Sequence, residues 1–142
     1  MKNIKEWNEE YGSYHKNKTN KVIHWICIPL IIFSLFGILS LSKYILEIFI
    51  ILTLGYYLRL SRSLTIGMAI ISLLFIWIIN SLNVNGLGLY FYLVIFIVAW
   101  IGQFIGHKFE GKKPAFVKDL QFLLIGPLWL LSYIYNKFNI RL

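Results

Sequence analysis

The chain has 142 residues, of which 58% are hydrophobic and only 14% charged, with a net charge of +8. A mean hydropathy of +0.70 excludes an ordinary soluble domain and points to an integral membrane protein. The positive residues fall between apolar blocks and not along one solvated face, so the basic balance reports membrane topology and argues against a nucleic-acid partner.

Residues 1–21 carry Glu6, Glu9 and Glu10 among the lysines, and no small-residue cleavage pattern follows, which argues against a cleaved signal peptide. Ile4, Trp7, Tyr11 and Tyr14 recur at helical spacing, predicting an interfacial amphipathic helix that lies on the membrane with its aromatics inward. Five apolar blocks follow, at 22–41, 44–60, 63–82, 87–105 and 120–135. A bilayer core needs roughly 17 to 25 apolar residues per helix, which the first four blocks supply. The fifth is shorter and holds Gly126-Pro127 near its middle, so it is expected to be a kinked span, with a re-entrant element or a helix packed at the interface as the alternatives. Cys27, the single cysteine, lies within the first block and is expected to be a small buried apolar residue. The expected fold is an all-α integral membrane protein. It is a compact bundle of four to five transmembrane helices preceded by an N-terminal amphipathic helix, forming a single domain over 1–142.

Charge placement orients the bundle. Lys2, Lys5, Lys16, Lys18 and Lys21 precede the first block, Arg59 and Arg62 follow the second, and Lys108, Lys112, Lys113 and Lys118 follow the fourth. Four spans bring these groups to one side, and the opposite side receives only Lys43 and the uncharged turn at 83–88. The excess of lysine and arginine puts the N-terminus in the cytoplasm.

The same topology brings all three histidines to that cytoplasmic edge: His15 in the N-terminal segment, His24 at the start of the first span and His107 at the end of the fourth. Three imidazoles with Glu110 nearby form a candidate divalent transition-metal site, catalytic if a coordination position stays open. Gln103, His107 and Glu110 fall on one helix face, Gly106 leaves room for another backbone, and Gly111 with Pro114 ends the helix. Taken singly, each histidine also fits an amphipathic interfacial residue, and Glu110 also fits pairing with Lys113 or facing water. Gln103 lies deeper and needs a hydrogen-bond partner, which a ligand histidine would provide. Trp7, Tyr44, Trp77, Tyr90, Tyr92, Trp100 and Tyr135 sit near block ends, as membrane anchors do.

Tyr11, His15, Asn20, His24 and Pro29, then Gln103, Gly106, His107, Glu110, Pro114 and Ala115, and finally Gly126-Pro127 resemble, in order and over nearly the whole chain, the small membrane family of 2-hydroxy fatty acid dioxygenases. That resemblance implies an iron(II)-dependent enzyme of fatty acid α-oxidation, which shortens a 2-hydroxy acyl chain by one carbon with dioxygen and releases carbon dioxide. It implies Fe2+ held by His15, His24 and His107. Glu110 would complete the metal shell, orient a histidine or accept the hydroxyl proton. Asn20 and Gln103 would support the ligands or the substrate, and Lys112 or Lys113 would attract its carboxylate. The chain departs from the family pattern at Cys27, where a glycine is usual, and at Tyr133, where an acidic residue often stands after the Gly-Pro. The second departure makes an all-histidine iron site more attractive.

Two other classes are compatible with these residues: a metal-free scaffold or small transporter built around the broken fifth block, and a lipid hydrolase with zinc at the same histidines. A di-iron enzyme is disfavoured because three histidines, none paired as His-x-x-x-His, supply too few ligands. A bacterial inner membrane is favoured, with the endoplasmic reticulum as the eukaryotic counterpart.

Overall fold

The computed structural model describes residues 1–111 and 116–142. Six helices follow one another, α1 (Ile4–Ser13), α2 (Lys18–Ser40), α3 (Ile45–Leu60), α4 (Arg62–Val84), α5 (Leu89–Glu110) and α6 (Phe116–Lys137), and the described residues contain no strand. Lys112 and Lys113 lie outside the described residues.

Local chemistry sets the helix ends. A reciprocal capping box opens α1, with Asn3 Oδ1 accepting from Glu6 N at 3.0 Å and Glu6 Oε2 accepting from Asn3 N at 2.9 Å. Asn17 caps α2 through Thr19 N and Asn20 N, and Ser61, the one residue between α3 and α4, caps α4 through Leu64 N. α5 stops at Gly111, whose φ of 68° is left-handed and whose N–H donates to His107 O at 3.1 Å.

Among the described residues, three helices, α2, α4 and α5, are long and apolar enough to cross a membrane. α3, with 16 residues, spans about 24 Å at 1.5 Å per residue, short of the roughly 30 Å hydrocarbon core. The outer faces carry well-exposed Ile51, Leu73, Trp77 and Val98, an apolar girdle suited to lipid.

α2 is the central rod and packs along α5. Its inner half joins α3, α4 and α5 in a core of Ile32, Phe36, Ile50, Ile79 and Tyr92. Its outer half joins α1 and α6 in a second core of Trp7, Tyr11, Ile28, Phe122 and Ile125. The aromatic face of α1 is therefore covered by α6.

α6 runs through Gly126-Pro127 as one helix, and both its ends are fastened at the edge where α2 and α4 begin. Lys118 pairs with Glu10 of α1, and the Tyr135 hydroxyl donates to Ser63 O in the first turn of α4 at 3.0 Å. Between them, Leu124 and Pro127 line a small cavity with Phe36 and Ile50. The two end contacts hold both ends of α6 at one edge of the bundle.

Candidate metal centre

His15 follows α1 in the connection to α2, His24 lies in the second turn of α2, and His107 in the last turn of α5. All three are buried, and one potential ligand atom from each lies within 4.8 Å of the other two. Ring centroids are 4.2 Å apart for His15 and His24, 5.0 Å for His24 and His107, and 5.7 Å for His15 and His107.

Two tautomers follow from the backbone. His15 Nδ1 lies 2.6 Å from Tyr11 O and His24 Nδ1 lies 2.9 Å from Asn20 O, each a carbonyl four residues earlier. A carbonyl only accepts, so Nδ1 carries the proton and Nε2 carries the lone pair. This is how ligand histidines are commonly held, with one ring nitrogen on a carbonyl and the other on the metal. His15 Nε2 is buried with no hydrogen-bond partner, a costly arrangement for a purely structural histidine and the one a metal would relieve. Burial pulls the His15 pKa down from 6.5 to about 4; nearby His107 pushes the same way, while the Tyr11 carbonyl and Glu110 oppose it. The ring is thus neutral, the form that binds metal, at ordinary pH. Three imidazoles with room for further ligands fit a divalent transition metal such as iron or zinc.

Close helix contact makes the pocket. A Cβ on Gly106 would sit 2.5 Å from Asn20 Oδ1 and 3.3 Å from His24 Cε1, so α2 and α5 approach this closely only because residue 106 has no side chain. Asn20 is fully buried, its Nδ2 donating to Tyr14 O and to Glu110 Oε2, each at 3.1 Å. Glu110 accepts from Lys16 N at 2.9 Å and Asn17 N at 2.7 Å, so both of its oxygens fasten the connection that carries His15. Its carboxylate does not join the three-histidine group.

Gln103, one turn before His107, lines a cavity of about 20 Å³ together with the three histidines, Trp100 and Phe122. That is room for roughly one small molecule such as water. Tyr11 stacks on His15 at 4.2 Å and 7°, and Trp129 and Phe122 of α6 pack on Tyr11 in turn. Sequence reasoning did not assign Phe122 and Trp129 to the site. Their signal is the 122, 125, 129 spacing, which puts both with Ile125 on one face of α6.

The model of the Mpo1-like family, described as 2-hydroxy-palmitic acid dioxygenase Mpo1-like, matches residues 1–138. The chain belongs to the Mpo1-like family. A curated member from Saccharomyces cerevisiae (strain ATCC 204508 / S288c), 2-hydroxy-palmitic acid dioxygenase MPO1, is 30% identical over 135 residues, covering 85% of this chain and 73% of the yeast protein. No solved structure matches. The buried Cys27 Sγ fills the space beside Gly102, and Tyr133 stacks edge-on against Trp25 at 5.3 Å.

Proposed function

We propose that this protein is an iron(II)-dependent dioxygenase that converts long-chain 2-hydroxy fatty acids to the acid one carbon shorter, with release of carbon dioxide. The observation that carries the reading is the buried trio of imidazoles, with His15 Nε2 lacking a hydrogen-bond partner, at the end of an apolar bundle. Membership of the Mpo1-like family supports the reaction class.

His15, His24 and His107 would hold the metal, and the Tyr11 and Asn20 carbonyls leave the lone pairs of His15 and His24 on Nε2. Ferrous iron, when bound, supplies the capacity to bind the hydroxy acid and activate dioxygen, which no side chain here has. Glu110 acts as a positioning residue, because its oxygens hold the backbone at Lys16 and Asn17 beside His15. Gln103 offers an amide donor and acceptor to the head of the substrate from the wall of the cavity. Lys112 and Lys113 would draw the carboxylate toward the basic edge, which we assign to the cytoplasm on the positive-inside rule. The aromatic wall of Tyr11, Phe122 and Trp129 excludes bulk water.

The chemistry balances without an external reductant. One 2-hydroxy acid and one dioxygen yield the shortened acid, carbon dioxide and water. The bond between the first two carbons breaks, and the substrate supplies all four electrons.

Oxygen uptake by purified protein reconstituted with iron(II) and given 2-hydroxypalmitic acid tests this, with mass spectrometry of the product. Equal consumption of oxygen and formation of the fifteen-carbon acid is the expected result. Cleavage of an esterified lipid without oxygen and with zinc bound would favour the hydrolase. Absence of bound metal under every loading condition would overturn both.

A further inference from the structure

Resting on the dioxygenase reading, we propose that the acyl tail of the substrate lies in the apolar groove between α2, α4 and α6, with Ile28 and Ile32 forming the threshold between that groove and the histidine cavity. The groove has a volume of about 270 Å³, and every side chain that lines it is apolar. α2 contributes Pro29, α4 contributes Met68, Ile71 and Phe75, and α6 contributes Leu131 and Ile134.

Continuity with the histidines selects this groove and this occupant. His24, Ile28 and Ile32 recur every four residues on one stripe of α2, so Ile32 lies about 12 Å along the helix axis from His24 at 1.5 Å per residue. Ile28 and Ile32 line the histidine cavity on one side and the groove on the other. Ile32 also lines the small cavity beside Leu124 and Pro127 of α6. A second groove, of about 380 Å³ at Ile51, Gly55 and Arg59 of α3, shares no lining residue with the histidine cavity. A molecule with its polar head at the histidines and its tail along α2 therefore meets the first groove and misses the second. A tail of methylenes matches the lining, which carries no charge and whose one side-chain donor is the Trp25 indole.

Because the head is fixed at one end, the length of the groove sets the preferred chain length. Ile71 stands in its α4 wall, where added bulk shortens the space and lost bulk extends it. One methylene in an apolar pocket is worth on the order of tenfold or more in discrimination.

The test is photolabelling of the iron-reconstituted protein in phospholipid nanodiscs with a 2-hydroxy acid carrying a diazirine near its tail end, followed by peptide mapping. Label is expected on Met68, Ile71 or Phe75 of α4 and on the facing side of α6, suppressed by unlabelled 2-hydroxypalmitic acid and not by added phospholipid. Ile71→Trp is expected to shift the kcat/KM ratio toward shorter acids by about tenfold, and Ile71→Ala to shift it the other way. Label on α3, label displaced equally by phospholipid, or an unchanged chain-length profile in the folded variants would overturn the groove. If Ile71→Trp does not fold, Ile71→Ala and the labelling decide. Labelling of the groove without oxygen uptake would keep the acyl site and remove the dioxygenase reading, and oxygen uptake with label elsewhere would do the reverse.

Discussion

The two ends of the seam between α2 and α5 are built alike and finished differently. At the end away from the histidines, Gly37 of α2 makes room for the ring of Tyr92. The Tyr92 hydroxyl donates to Asn83 Oδ1 at 2.6 Å, Asn83 Nδ2 donates to Ser40 Oγ at 3.0 Å, and Ser40 donates to Gly37 O at 2.6 Å. That chain of hydrogen bonds closes on the backbone. At the other end, Gly106 of α5 makes room for Asn20, whose side chain donates to Glu110 and whose backbone carbonyl accepts from His24. This network leaves His15 Nε2 and Asn20 Oδ1 buried without hydrogen-bond partners. A closed polar network in an apolar bundle fastens helices, whereas an open one keeps lone pairs available to a ligand.

Removing a histidine should separate the two ends most sharply. His24→Ala is expected to lower iron retention by more than about 100-fold, beyond the range seen when a group that merely supports a ligand is lost. Tyr92→Phe, at the closed end, should retain iron at the wild-type stoichiometry. Metal analysis after purification in mild detergent reads both.

Next in size is the response of the metal-free protein to acid. Burial lowers the folded-state pKa of His15 to about 4 from an ordinary 6.5, so between these values the unfolded chain holds the extra proton. Stability is then greatest above about pH 6.5 and falls toward pH 4, by at most about 1.4 kcal/mol per pH unit from this group. Denaturant titration of the metal-free protein across that window should show the slope, and His15→Gln should flatten it. A slope unchanged in that variant would assign the titration to another residue.

The smallest effect is the most discriminating. A Cβ at Gly37 would lie 2.1 Å from the Tyr92 ring, and one at Gly106 would lie 2.5 Å from Asn20 Oδ1. Alanine at either position is expected to cost roughly 1–3 kcal/mol through overpacking. Only Gly106→Ala should also weaken iron binding, because only there does the added Cβ press on a ligand histidine, 3.3 Å from His24 Cε1. Equal loss of iron in both variants would collapse the distinction between the ends.

Much of this was legible in the chain. Runs of apolar residues predict the helices, Gly111 marks the end of α5, and successive antiparallel helices bring residues 15, 24 and 107 to one edge. The placement of α6 was harder to read, because a Gly-Pro pair in an apolar block suits a kinked span, a re-entrant element or a helix packed at the interface. Contacts from Lys118 to Glu10 and from Tyr135 to Ser63 tie both its ends to one edge, which composition alone does not reveal. The family resemblance pointed to Asn20 and Glu110, but not to the hydrogen bonds that join them to each other and to the backbone at Tyr14, Lys16 and Asn17.

The sequence by itself determined an apolar helical protein with three histidines at a common edge, because span length and chain reversal depend on local composition. Tertiary structure alone decided that the imidazoles meet, that Glu110 holds the backbone beside His15 from 94 positions away, and that α6 covers the site with aromatic rings. Helical periodicity says which residues share a face. It carries no information about the helix that the face will meet, and that meeting depends on close approaches such as the one at Gly106.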